Sequence, residues 1–192
     1  NNVVNGAASG NTVVTGGAGA DTFTTATTGN NVVNFGNGAN AFTATTGNNT
    51  YTGGTGVDTV SVGGGLNVLT LGAGSDVVTI TGIGANGNVY TTITDIGAGD
   101  TVDFSALTTV ARADGALGAK ITLADTAVFA DFLSAATSTI IADAGASLVK
   151  WFQFAGNTYV VVDNTLAANT PDDTNGFENG IDSVIRLTGL VD

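Results

Sequence analysis

The chain has 192 residues, 43% of them hydrophobic, with 4 basic side chains against 16 acidic ones and a net charge of -12. No basic stripe is present to neutralise phosphates, so nucleic acid is not an expected partner. Histidine and cysteine are absent, which removes disulfides, the usual zinc ligands and any Ser-His-Asp arrangement, so the chain is not expected to be an enzyme.

Taken in order, the chain opens on Asn1-Asn2-Val3-Val4 in mid-pattern and reads as a piece of something longer. No run of about 18 apolar residues follows, so no membrane insertion is expected. The first informative stretch is GGAGADTFT at 16–24, and it recurs as GGTGVDTVS at 53–61. FGNGANAFT (35–43) and LGAGSDVVT (71–79) are partial copies, so the second glycine falls at Gly17, Gly36, Gly54 and Gly72, in steps of 19, 18 and 18. A second series lies between these copies: GNTVVT (10–15), GNNVVN (29–34), GNNTYT (47–52) and GLNVLT (65–70), with the same steps. Two phased series with one period predict a solenoid of about 18 residues per coil, each coil holding two short strands and two turns. Val13, Phe23, Val32, Phe42, Tyr51, Val60, Val68 and Val78 recur at half the period and are expected to form two inward columns.

In G-x-G-x-D the glycines permit a tight turn whose carbonyls share one space, and a carboxylate arrives at its end. Stacked turns would then offer oxygen ligands alone, which suits Ca²⁺ better than the stricter octahedron of Mg²⁺. The candidate ligands are Gly17, Gly19 and Asp21; Gly36, Gly38 and Asn40; Gly54, Gly56 and Asp58; and Gly72, Gly74 and Asp76. The metal-free alternative is a glycine-rich solenoid whose aspartates are solvated turn residues.

These copies resemble the nonapeptide G-G-x-G-x-D-x-U-x of RTX proteins, matched fully at 16–24 and 53–61. The resemblance implies a right-handed parallel β-roll over residues 1–82 that binds calcium. The GNNVVN series lacks the acidic position. One column of roughly two to four ions on one side is therefore expected, with a metal-free turn or an Asn ladder on the other.

After residue 82 the period fades, and residues 83–192 read as a β-rich C-terminal cap. VYTTIT (89–94) alternates as a strand, and DIGAGDTVDF (95–104) looks like an altered glycine-aspartate turn. Asp95, Asp100 and Asp103 are its candidate ligands, but Asp100 lies 24 residues past Asp76, which suggests a turn outside the column. DTAVFADFLSAATS (125–138) predicts a short helix N-capped by Asp125, with Val128, Phe129, Phe132, Leu133 and Ala136 on its buried face. SLVKWFQF (147–154) and TYVVVD (158–163) predict a hairpin turning at Gly156-Asn157, and IDSVIRLTG (181–189) a last strand. Asp163, Asp172, Asp173, Glu178 and Asp182 cluster around the loop between them, as a second calcium site or a solvated acidic loop. Trp151 is expected in the core.

WFQFAGNTYVVVDN and NGIDSVIRLTGLVD resemble the C-terminal block of bacterial surface-layer proteins exported by type I secretion. This resemblance implies a calcium-binding structural module at the bacterial cell surface, outside the cell. Its implied partners are calcium, the type I secretion apparatus and further copies in a lattice. Two alternatives carry the same repeat: the C-terminal region of an exported enzyme such as a serralysin-like protease, and an adhesin or ice-binding solenoid. The first would need an upstream catalytic domain, because the H-E-x-x-H zinc motif is absent.

Overall fold

The structure, a computed structural model, describes residues 1–6, 10–25, 28–107, 117–137, 149–164 and 176–191. The chain divides into two compact units: Asn1–Gly82 with Thr91–Leu107, and Ile83–Tyr90 with the chain after residue 107.

The first unit is a parallel β-solenoid. One sheet holds β1 (Val3–Asn5), β3 (Thr22–Thr25), β5 (Ala41–Thr46), β7 (Thr59–Gly64), β9 (Val77–Ile80) and β11 (Thr101–Asp103). The other holds β2 (Val13–Thr15), β4 (Val32–Asn34), β6 (Thr50–Thr55), β8 (Val68–Ala73) and β10 (Thr91–Ile93). Register repeats the sequence period: Phe23 pairs with Phe42, Phe42 with Val60, and Val60 with Val78. The last coil is longer, since Val77 pairs with Thr101 and Leu69 with Ile93. The added residues fall in 83–90, outside both sheets.

Alternation along each strand sends one set of side chains inward. Phe23, Phe42, Tyr51, Val60, Leu69 and Val78 are fully buried. The Phe42 ring stacks on Phe23 at 5.8 Å and on Tyr51 at 5.2 Å. Each such burial stabilises by about 1.5–3 kcal/mol. One expected column needs correction. Val13, Val32 and Val68 face outward, and their neighbours Val14, Val33 and Leu69 fill the core instead.

Except at Gly17, where a Cβ would meet open space, the glycines of the first series are required by close packing. A Cβ at Gly38 (φ 134°) would lie 2.2 Å from the Gly19 carbonyl oxygen, and one at Gly56 would lie 2.5 Å from that of Gly38. The coils are too close for any side chain there.

The second unit holds helix α1 (Phe129–Thr137) and an antiparallel sheet of β12 (Val149–Phe154), β13 (Asn157–Val162) and β14 (Ser183–Leu187). Phe132, Leu133 and Ala136 pack with Phe152, Tyr159, Val161 and Val184. The helix begins later than its pattern predicts. Asp125 sits in a preceding turn, and the Val128 amide donates to Asp131 Oδ2 at 2.9 Å, so Asp131 closes the first turn. Val128 is exposed rather than packed. The hairpin turns at Ala155 (φ 48°) and Gly156 (φ 77°), one residue earlier than expected, because a two-residue turn with both φ positive matches the strand twist. Trp151 is half-buried, with Lys120 Nζ 5.0 Å from its ring centre.

Candidate functional site: two side-chain columns along the solenoid

Each coil turns twice, and each turn carries a column of short polar side chains. In the first column the β3–β5–β7–β9 register places Asp21, Asn40, Asp58 and Asp76 just before their strands. All four are buried, three of them as carboxylates with no exposure. The aspartates are thus not solvated turn residues.

One hydrogen bond repeats up this column. The Asp21 amide donates to Asn40 Oδ1 at 3.0 Å, the Asn40 amide to Asp58 Oδ1 at 2.8 Å, and the Asp58 amide to Asp76 Oδ1 at 2.7 Å. The Asn2 amide extends it by donating to Asp21 Oδ1 at 2.7 Å. The Asp76 amide donates to Asp100 Oδ1 at 2.9 Å. Asp100 therefore stands in the column, not outside it, because the added residues are absorbed before β10. Asp95 lies elsewhere and accepts from the Leu71 and Gly72 amides at 2.8 and 2.9 Å. Asp103 accepts from the Ser105 amide at 2.8 Å.

The second atom of each side chain separates the rungs. Asn40 Nδ2 donates to the Gly36 and Gly38 carbonyls, both at 3.0 Å, so that turn is closed by its own amide. The matching atom in the aspartates is Oδ2, which cannot donate when ionised. Asp58 Oδ2 accepts the Tyr51 hydroxyl at 2.9 Å. Asp21 Oδ2 and Asp76 Oδ2 are buried and meet no donor. Burial pushes the Asp76 carboxyl above the ordinary carboxylate range; the Asp58 amide opposes this, and Asp100, Asp58 and Asp95 add to it. The Tyr51 hydroxyl is raised too, by burial first and then by the Asp58 charge and hydrogen bond.

The other turn carries two columns of asparagine. Asn31, Asn49 and Asn67 are buried. Asn31 Nδ2 donates to Asn49 Oδ1 at 2.8 Å, and Asn49 Nδ2 to Asn67 Oδ1 at 2.9 Å. Each also reaches a carbonyl of its own turn: Gly29, Gly47 and Gly63 at 3.0, 3.1 and 3.0 Å. This is the Asn ladder expected on that side. A solvent-facing column, Asn11, Asn30 and Asn48, accepts the amides of Asn30, Asn48 and Leu66.

Among the described residues, no group of three or more acidic side chains gathers closely enough to hold a metal by itself. In the acidic loop, Asp182 accepts from the Asn164 and Glu178 amides at 2.9 and 2.8 Å, which makes it a loop anchor. Asp172 and Asp173 lie outside the described residues. An open depression of about 310 Å³ beside α1, lined by Lys120, Leu123, Asp125, Phe132, Gln153 and Phe154, holds no constellation with evident chemistry.

The donor set of the aspartate column fits a hard cation. It consists of carboxylate oxygens and turn carbonyls, and two of its buried carboxylate oxygens lack a donor. Compared with known proteins, the chain matches no family model and no curated protein. What stands is a parallel β-solenoid with stacked Asp and Asn ladders.

Proposed function

We propose that this chain is a calcium-binding structural module of an exported bacterial cell-surface protein, in which cation binding to the aspartate column is coupled to folding. One observation carries the reading: Asp21 Oδ2 and Asp76 Oδ2 are buried without a donor where Asn40 places an amide. Asp21 with Gly17 and Gly19, and Asp76 with Asp100, Gly72 and Gly74, would hold the ions. Asp58, with Gly54 and Gly56, would contribute where Tyr51 leaves a lone pair free. The cation supplies the positive charge that no side chain of this column provides; the Asn1 ammonium reaches only Asp21 Oδ1, at 3.8 Å.

Linkage sets the mechanism. A ligand that binds only the folded chain stabilises it by RT ln(1 + [L]/Kd), about 2.7 kcal/mol per independent site at ~100 times Kd. Without the cation, buried carboxylates repel one another in a chain of net charge -12. Low calcium inside the cell would keep the roll open for type I secretion, and high calcium outside would close it. The lack of cysteine fits this route, since no oxidative step is needed. The surface-layer resemblance of the C-terminal block supports self-association in a lattice. The lack of histidine and cysteine supports a structural rather than a catalytic role.

A second reading is a metal-free hydrogen-bond ladder. It is favoured by the column's Oδ1 atoms, which already accept backbone amides. Calcium titration of chelator-treated protein, followed by far-UV circular dichroism with magnesium as control, separates the two. A cooperative gain of β-structure with calcium alone is the expected result. A spectrum already folded in chelator and indifferent to calcium would sink the calcium reading and leave the ladder.

A further inference from the structure

Between Asn1 and Thr94 the only charged side chains are Asp21, Asp58 and Asp76, and all three are buried. The strands β1 to β10 therefore present no charged side chain to solvent, in a protein of net charge -12.

The outer face of the second sheet carries three exposed valines, against Val3 and Val77 at the two ends of the first. Val13, Val32, Thr50 and Val68 stand in one register column, and Thr15, Asn34, Thr52 and Thr70 in the next. Val13 is 76% exposed, Val32 47% and Val68 41%. The roll does not need them for its core, which Val14, Val33, Tyr51 and Leu69 fill. The first sheet's outer face differs. Its columns are Val3, Thr22, Ala41, Thr59 and Val77, and Asn5, Thr24, Thr43, Ser61 and Thr79, the latter ending on Asp103.

We propose that the outer face of β2, β4, β6 and β8 is a self-association surface, occupied by the same face of a second copy. Charge is the first reason. Two chains of this acidity repel at close range, and this face lets them meet without setting charged side chains against each other. Geometry is the second. A second copy repeats the same strand spacing of about 4.8 Å, so the valine rows of one face can seat between rows of the other, as in face-to-face sheet packing. The same patch on both partners gives a closed, two-fold contact. Threonine and asparagine beside the valines supply hydrogen-bonding groups. This inference rests on the self-association part of the proposed function and names its surface.

The test is sedimentation velocity of the full chain across a concentration range, at low and high salt, in calcium and in chelator. A concentration-dependent dimer is expected, tighter at high salt because screening weakens the net repulsion. Val32→Glu with Val68→Glu should weaken it at least about tenfold, since like charges then face each other. Thr24→Glu with Thr59→Glu adds the same charge to the opposite face and should leave it within about twofold. Circular dichroism checks that each variant is folded, and Val13→Glu, at the most exposed valine of this face, is the fallback if the double variant is not. A folded wild type that stays monomeric at every concentration overturns the proposal, as do two variant pairs that weaken the dimer equally. A dimer that forms without any response to calcium would overturn the calcium reading and leave this surface standing.

Discussion

The Tyr51 hydroxyl donates to Asp58 Oδ2 at 2.9 Å inside the roll, and both side chains are fully buried. This bond makes Asp58 unlike Asp21 and Asp76, whose Oδ2 atoms have no donor. Tyr51→Phe would leave a third such oxygen, at a cost of about 1–3 kcal/mol in urea unfolding at the lowest calcium that keeps the roll folded. If calcium takes over the vacated lone pair, the loss shrinks in saturating calcium.

The same pair makes an alkaline prediction. The folded-state pKa of Tyr51 lies above its unfolded value, from burial first and the Asp58 charge second. Its contribution is present below about pH 10 and is lost as the unfolded chain ionises above that. Wild type should therefore lose stability above about pH 10 more steeply than Tyr51→Phe. Parallel slopes in urea midpoints would contradict this.

Asn40 and Asp76 predict opposite effects on exchanging amide and carboxylate. Asn40→Asp removes two donors to the Gly36 and Gly38 carbonyls and buries a new charge. It should cost about 3 kcal/mol or more at the lowest calcium that keeps wild type folded. Asp76→Asn should favour folding in chelator by about 1 kcal/mol, read as more residual β-structure by circular dichroism, and weaken the calcium response. The Asp76 carboxyl has a raised folded pKa, so its share of stability is present below about pH 4 and is lost as pH rises through the folded value. Asp76→Asn should flatten that part of the acid profile.

Gly38→Ala tests the stacking. Its φ of 134° and the Gly19 oxygen 2.2 Å from the added carbon leave only backbone to move. A loss of at least about 2 kcal/mol is expected, read as a lowered urea midpoint with unchanged slope.

In the hairpin, Ala155 holds φ 48° without being glycine. Ala155→Asn should stabilise by about 0.5–1 kcal/mol, since asparagine tolerates that region better. Thermal unfolding of the two chains side by side checks it.

The column of Asp21, Asn40, Asp58 and Asp76 was legible because its glycine and acidic positions repeat with one period. Inward-facing phenylalanines were legible for the same reason: Phe23 and Phe42 each stand between smaller or polar neighbours. The pairs Val13-Val14 and Val32-Val33 offered no such contrast. The decision there belongs to the preceding turn, which points the second residue inward. Asp100 was legible as a candidate ligand, but its place in the column was hidden by the longer coil, although its local string GAGDTV closely resembles GAGSDVV at Asp76. The donor at Asp58 was hidden too, because Tyr51 comes from the facing sheet. Only the fold brings a hydroxyl in the asparagine series to a carboxylate in the aspartate series.

The register between coils also fixes how this roll can change length. Val32 pairs with Thr50, and Thr50 with Val68, at steps of 18 residues. Excising one such step rejoins the chain at equivalent points, with each polar column one rung shorter. Excising half a step would set asparagine turns over aspartate turns and glycine stacks against side chains. The coil between Asp76 and Asp100 marks the exception, for its surplus is spent in residues 83–90 while β11 keeps its register on β9. Growth and loss in this architecture are thus quantised by whole coils of 18 or 19 residues, with the corner at 83–90 as the place where the ruler slips furthest.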